Sequence, residues 1–295
     1  MKFKASIILP VASGKGSMKR LKCKGHKVLL RVFRAGAIGL LLLLSTCATV
    51  PLTGRQGLQL VSDSELLSLS DQEYAKVLKE SKLSNDPGKV AMVKRVGERI
   101  AKASEEFLKD SGMESDVKNY KWEFNLIEDD KTVNAWCMPG GKVAVYTGIL
   151  PVTQDETGLA VVMGHEIAHA VAKHGNERMS EALLVQLGGT ALSAALTKQP
   201  ALTSQIFMGV YGAAANVGVL LPYSRTHESE ADRIGLVLMA KAGYDPRVAV
   251  PFWQRMNKSG GSRPPEFLST HPAPETRIKE IEADMPEAMR YYKAK

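Results

Sequence analysis

Residues 162–170 read VMGHEIAHA, and this pair of histidines four apart, with a glutamate beside the first, constrains the chain more than any other feature. On a helix, residues four apart share a face, so His165 and His169 can turn both imidazoles onto one ion. Glu166 lies about 100° round the helix from His165, close enough to bind a water in the same site without displacing a ligand. The flanking Val161, Val162, Ile167, Ala168 and Val171 are apolar, so the helix is expected to be buried. Neutral imidazoles suit zinc, but catalytic zinc sites use about three protein ligands and one open position. A third ligand must therefore come from elsewhere.

Residues 224–235, SRTHESEADRIG, offer it. Glu228 and Asp232 are again four apart and share a helical face. Glu228 is the candidate third ligand. Asp232 is placed to accept the free ring N–H of a ligating histidine, which fixes the tautomer and raises ring basicity. Glu230 points roughly 200° away from Glu228 and is expected in solvent or in a surface pair. His227 is the alternative ligand on this segment.

The surrounding pattern is that of one α+β domain, mainly helical, with a small sheet. Helices are expected at 64–82 and 89–108, the second with Val93, Val96, Ile100, Ala103 and Phe107 on one stripe. The run KWEFNLI at 121–127 alternates as a strand does, with Trp122, Phe124 and Leu126 on one side. Two further strands, 132–138 and 142–147, are joined by Pro139-Gly140-Gly141. Helical patterning then covers 157–173, an apolar stretch at 179–221, 226–242, 246–257 and a final region after a Gly- and Pro-rich connection.

Charge separates the N-terminus from the rest. Of 39 Lys and Arg residues, ten fall in 1–46, which holds no Asp or Glu. The remainder carries 29 basic against 31 acidic side chains, which excludes a phosphate-binding surface and with it nucleic acid as a partner. A basic segment followed by AGAIGLLLLLS at 35–45 reads as a secretory signal peptide over 1–46, with Met18 an alternative start. Leu44-Ser45-Thr46-Cys47 resembles a bacterial lipobox, which implies lipidation of Cys47; an uncleaved anchor is the other reading, because no charge separates Arg34 from Arg55. Either way the chain is expected to be exported and membrane-tethered through an extended segment at 47–62, with a single domain at 63–295. Ala48 after Cys47 suits the periplasmic face of the outer membrane in a two-membrane bacterium. Cys137, without a partner thiol, is expected to be buried.

H-E-x-x-H followed by E-x-E-A-D resembles the gluzincin metallopeptidases of the HtpX, BepA and CAAX-prenyl-protease family. Residues 134–141, NAWCMPGG, resemble that family's N-A-F-x-x-P-G-G strand, and Thr270-His271-Pro272 with Arg277-Ile278 its C-terminal T-H-P and R-I segment. The exported, tethered architecture is closest to the BepA, LoiP and Oma-like branch. The resemblance implies a zincin-type fold whose edge strand lies over the zinc helix, and one Zn2+ held by His165, His169 and Glu228 with Glu166 as general base. It makes His271 the candidate either for oxyanion stabilisation or for a fourth ligand in a resting enzyme. Arg277 is left to orient carboxylates or substrate.

A strand at 133–138 with an unpaired edge can hold an extended polypeptide by backbone hydrogen bonds, so Asn134 and Ala135 are candidate substrate contacts. Such binding tolerates many side chains and favours unfolded or unassembled proteins as substrates. A metal-containing chaperone or scaffold is the second function class, against which Glu166 argues, since a pure binder needs no base. The uncharged middle is expected to form a buried helical hairpin, the alternative being a hairpin that dips into lipid or, over 182–223, an oligomer or assembly contact. A single crossing at 201–221 would put His165 and Glu228 on opposite sides of a membrane.

Overall fold

The computed structural model describes residues 47–187, 200–211, 224–259, 266–271 and 276–293. The leader expected at 1–46, Gly188, Gly189, Gly212, Gly218 and Pro272 lie outside them. Local chemistry sets most of the boundaries. Helix α1 (Asp63–Glu80) starts where Ser62 Oγ accepts the Glu65 N–H, and α2 (Pro87–Asp110) where Asp86 accepts from Gly88 and Lys89 with proline at the first turn. The expected α2 stripe is the buried one: Val93, Val96, Ile100, Ala103 and Phe107 all face the main core.

Strands β3 (Glu123–Ile127), β4 (Ala135–Met138) and β5 (Lys142–Tyr146) form a mixed sheet in the order β3-β5-β4. The middle strand β5 pairs parallel with β3 and antiparallel with β4, and all five of its residues are buried. The β4–β5 turn places Gly140 and Gly141 at φ of 81° and 83°, where a side chain would be strained. Cys137 on β4 is buried as expected, and burial pushes its thiol well above the usual range, which disfavours the thiolate that a nucleophile needs.

Helix α3 (Glu156–Val171) begins at Asp155, whose side chain accepts the Gly158 N–H at 2.8 Å. It is buried nearly all round because α2, β4 and α6 (Arg225–Lys241) pack against it on different sides. Helices α3 and α6 meet at Gly164 and Gly235. A methyl on Gly235 would lie 3.0 Å from the Gly164 carbonyl carbon and from the His165 backbone nitrogen. That contact is backbone to backbone, so no side chain can yield. Gly235→Ala is expected to cost about 1–3 kcal/mol through overpacking, seen as a lowered Tm; an unchanged Tm would show that the helices can part freely.

The described parts of the uncharged middle are the end of α4 (His174–Leu187), from residue 182 on, and α5 (Pro200–Tyr211); the two helices pack on each other. Met179, Leu183, Ile206, Phe207 and Val210 join Val61 and Leu66 in a second apolar cluster. Among the described residues no helix is long and apolar enough to cross a membrane. Helices α7 (Ala249–Ser259) and α8 (Arg277–Ala288) close the C-terminal side, α8 against α6.

The extended tether expected at 47–62 is corrected by the structure. Strands β1 (Cys47–Thr49) and β2 (Gln56–Leu58) form an antiparallel hairpin. It is fastened to α4: Ser180 Oγ accepts the Leu60 N–H at 2.8 Å, and Asn176 Nδ2 donates to the Val61 carbonyl at 2.8 Å. Val50, in the turn between the two strands, is buried in the main core. The three-residue strands are too short to show alternation, and their docking depends on partners more than a hundred residues away.

Candidate metal centre

Helix α3 carries His165, Glu166 and His169, and α6 carries Glu228 and Asp232; the Gly164–Gly235 crossing brings the two sets together. All five side chains are buried. His165 Nε2 and His169 Nε2 lie 3.1 Å apart, and Glu228 places Oε2 3.4 Å from the first and Oε1 3.4 Å from the second. A short helical turn, Glu266–Thr270, delivers His271, whose Nδ1 is 3.0 Å from Glu228 Oε1 and 3.3 Å from His165 Nε2. Donor atoms of His165, His169, Glu228 and His271 all lie within 4.8 Å of one another. The Nε2 of His271 is 3.4 Å from Glu166 Oε1.

The ring tautomers follow from what lies behind each histidine. His165 Nδ1 is 2.9 Å from Asp232 Oδ1, a carboxylate that only accepts, so Nδ1 carries the proton and Nε2 faces the site bare. His169 Nδ1 is 2.9 Å from His174 Nδ1, and His174 Nε2 is 3.0 Å from Glu230 Oε2. Burial, opposed by Glu230, lowers His174 to about 4, so it is neutral. Its one proton sits on Nε2 toward the carboxylate, which leaves Nδ1 to accept from His169 Nδ1–H. His169 Nε2 is then bare as well.

Two bare nitrogens at 3.1 Å repel unless something positive lies between them. Until a cation binds, that positive group is a proton. Burial disfavours charge on His165, yet the Glu228 and Asp232 carboxylates outweigh it and push the ring up to about 9, so Nε2 is protonated until a cation displaces the proton. Three buried carboxylates, Glu166, Glu228 and Asp232, stand in the site, and Arg277 pairs with two of them, Glu228 and Asp232. Glu166 Oε1 and Glu228 Oε2 accept no hydrogen bond among the described residues. Imidazole and carboxylate donors, a deficit of positive charge and two such oxygens together fit a divalent cation.

Arg277, open in role from the sequence, forks onto Asp232 with Nε to Oδ2 and Nη2 to Oδ1 both at 2.7 Å. Its Nη1 is 3.3 Å from Glu228 Oε2, and its guanidinium stacks 3.4 Å over the Trp253 ring. Burial raises the Glu166 carboxyl above its ordinary value, against the pull of His271 and His165.

The strand residues expected to contact substrate are engaged within the fold. Asn134 Oδ1 accepts the Ala135 N–H at 2.9 Å, and Asn134 Nδ2 donates to Glu266 Oε1 at 3.2 Å. The Phe267 N–H donates to the Val133 carbonyl at 3.1 Å, and the Phe267 ring stacks on His271 at 4.6 Å. The turn that carries His271 therefore leans on the start of β4.

One expectation on α6 fails. Glu230 is neither solvated nor in a surface pair: it is buried among His174, Thr53 and Arg55, because α6 is packed on both flanks. His227, the alternative ligand, stands outside the donor group found among the described residues; it stacks on His174 at 4.5 Å and lies 3.2 Å from Glu177. His174 itself escaped the sequence reading, since five residues from His169 is off the helical face. Lys173 at φ 57° ends α3 and returns the chain so that the two rings meet.

Glu177 supplies a pH test of the hairpin. Burial opposes its charge, but the Arg55 hydrogen bonds and His227 dominate and lower it from 4.5 to about 2. A depressed carboxylate contributes stability above its unfolded value and loses it as pH falls through the folded one. Hydrogen exchange at 47–61, corrected for intrinsic rate, should stay protected at pH 5 and lose protection between about 4.5 and 2. Full exposure already at pH 5 would contradict the assigned pairing.

An α+β domain in which a His-Glu-x-x-His helix crosses a helix bearing a further carboxylate donor fits the gluzincin class to which the motifs pointed. The chain belongs to peptidase family M48, whose model matches residues 91–285. It is similar to the mitochondrial metalloendopeptidase OMA1 of Schizosaccharomyces pombe, 41% identical over 59% of this chain and 50% of that protein. The Saccharomyces cerevisiae protein of the same name is 30% identical over 82% of this chain and 70% of its own length. The beta-barrel assembly-enhancing protease of Escherichia coli is 28% identical over 78% of this chain and 46% of its own length. The chain thus spans about half the length of the fission yeast and E. coli relatives.

Proposed function

We propose that this chain is a zinc-dependent endopeptidase, exported and held at a membrane through Cys47 or an N-terminal anchor, that cleaves misfolded or unassembled envelope proteins. The observation that carries the enzymatic part is the convergence of four donor residues beside Glu166 in one buried site. His165, His169 and Glu228 would hold the metal. When bound, zinc polarises the scissile carbonyl and lowers the pKa of a water in the site to about 7. Glu166 takes the proton from that water as its oxygen attacks the carbonyl carbon, and delivers it to the amine nitrogen as the C–N bond breaks. Its buried, upward-shifted carboxyl suits a group that must both accept and release a proton. Asp232 and His174 keep the Nδ1 protons of the ligating rings in place.

His271 fits the resting-ligand role better than oxyanion stabilisation, since its Nδ1 lies in the donor group and its turn leans on the strand where substrate would pair. A substrate would displace this turn and engage Asn134 and Ala135. The quality-control role draws on the mitochondrial and assembly-enhancing peptidases the chain is similar to, and export on the basic leader and the lipobox-like Cys47. Casein hydrolysis should vanish in a chelator and return with stoichiometric Zn2+. Hydrolysis that persists in the metal-stripped protein would overturn the reading.

A further inference from the structure

We infer that Arg55 is a positioning residue for the metal centre, acting from the N-terminal hairpin through Glu230 and His174 on His169. This rests on the reading that His165, His169 and Glu228 hold the metal. The two imidazoles of α3 are backed in parallel ways. Behind His165 stands Asp232, forked by Arg277; behind His169 stands His174, then Glu230, and Glu230 is forked by Arg55. The Arg55 Nε donates to Glu230 Oε1 at 2.9 Å and Nη2 to Oε2 at 2.8 Å. Its Nη1 and Nη2 also reach Glu177 Oε1 and Oε2 at 2.6 and 2.7 Å, and Thr53 Oγ1 donates to Glu230 Oε1 at 2.8 Å.

One guanidinium therefore fastens two carboxylates from α4 and α6 and holds Glu230 Oε2 toward His174. A carboxylate gripped at both oxygens cannot rotate, so His174 keeps its Nε2–H on Glu230 and its Nδ1 lone pair on His169. That orients His169 Nε2 into the site. The Arg55 guanidinium comes from outside residues 91–285, the segment that defines the family membership, and from a part of the chain that sequence patterning left as a tether, whereas His174 and Glu230 lie within that segment. Docking of the hairpin and competence of the metal site are thereby one structural event.

The test is metal binding rather than turnover. Zinc affinity of the full chain is measured by competition with a chromogenic chelator, and site geometry by the visible spectrum of the Co2+ form. Arg55→Ala should weaken zinc binding roughly tenfold or more and change the Co2+ spectrum. Arg55→Lys, which keeps the charge without the fork, should lie between it and the wild type. Gln56→Ala, which removes only the exposed bond to Thr49 in the same hairpin, should leave both readouts unchanged. In a His174→Ala background, Arg55→Ala should add no further loss, because the route to His169 is already cut. Wild-type affinity and spectrum in Arg55→Ala would overturn the inference. An equal loss with and without His174 would overturn it too, showing a general effect of the hairpin. Should Arg55→Ala not fold, Arg55→Lys decides alone, and wild-type affinity there refutes the role of the fork. A wild-type chain that binds no zinc would instead refute the metal reading on which this rests.

Discussion

Replacing Glu166 with glutamine should abolish peptide hydrolysis while leaving zinc content unchanged. The carboxylate stands outside the donor group of His165, His169, Glu228 and His271, so its loss removes no ligand. Glutamine keeps the shape and the hydrogen-bonding reach but cannot take a proton. General acid–base catalysis is worth on the order of 10²–10⁴-fold, and here one group serves both attack and departure, so the loss should approach the upper end. Stability should not suffer: Glu166 is buried and its Oε1 accepts no hydrogen bond among the described residues, so a neutral isostere removes a charge that burial already disfavours. Casein cleavage and metal analysis on one preparation check both halves. A variant that retains zinc and still cleaves would remove Glu166 from the mechanism and, with it, the strongest argument against a chaperone that merely holds clients.

The second large effect is expected at Arg277, and it is on stability. The guanidinium is buried, forks onto Asp232, reaches Glu228 and lies on Trp253. Arg277→Ala would leave two buried carboxylates facing each other across a cavity over an indole. Breaking a buried ion pair by removing one partner costs about 3–5 kcal/mol, because the remaining charge stays desolvated. For a domain of this size that is a fall in Tm on the order of 10 °C. The measurement belongs on metal-free protein, where no cation can take over the neutralisation, and bound zinc should restore part of the loss. Arg277→Lys should recover little, since an ammonium can neither fork onto Asp232 nor stack flat on Trp253. Equal Tm values for wild type and Arg277→Ala would mean the carboxylates are solvated in the native state, against the burial described here.

Legibility in the sequence followed the range of the physics involved. His165, Glu166 and His169 were readable because a helix repeats every 3.6 residues whatever surrounds it, and Glu228 with Asp232 for the same reason. The α2 stripe and the glycine turn between β4 and β5 are likewise set within a few residues. Glu230 shows where this logic stops. Its angle relative to Glu228 was right, but the far side of α6 is not solvent, since the hairpin and α4 cover it.

What the sequence alone determined is the core of the candidate site: which side chains share a helical face and could bear on one ion, and which of them could move a proton. The tertiary structure decided how they are held. The crossing of Gly164 on Gly235, the return of His174 to His169 through a left-handed Lys173, and the reach of Arg55 to Glu230 depend on contacts between residues distant in sequence or on a break in helical phase. Spacing carries no information about such contacts, because only packing determines which surfaces meet and which charges lose their water.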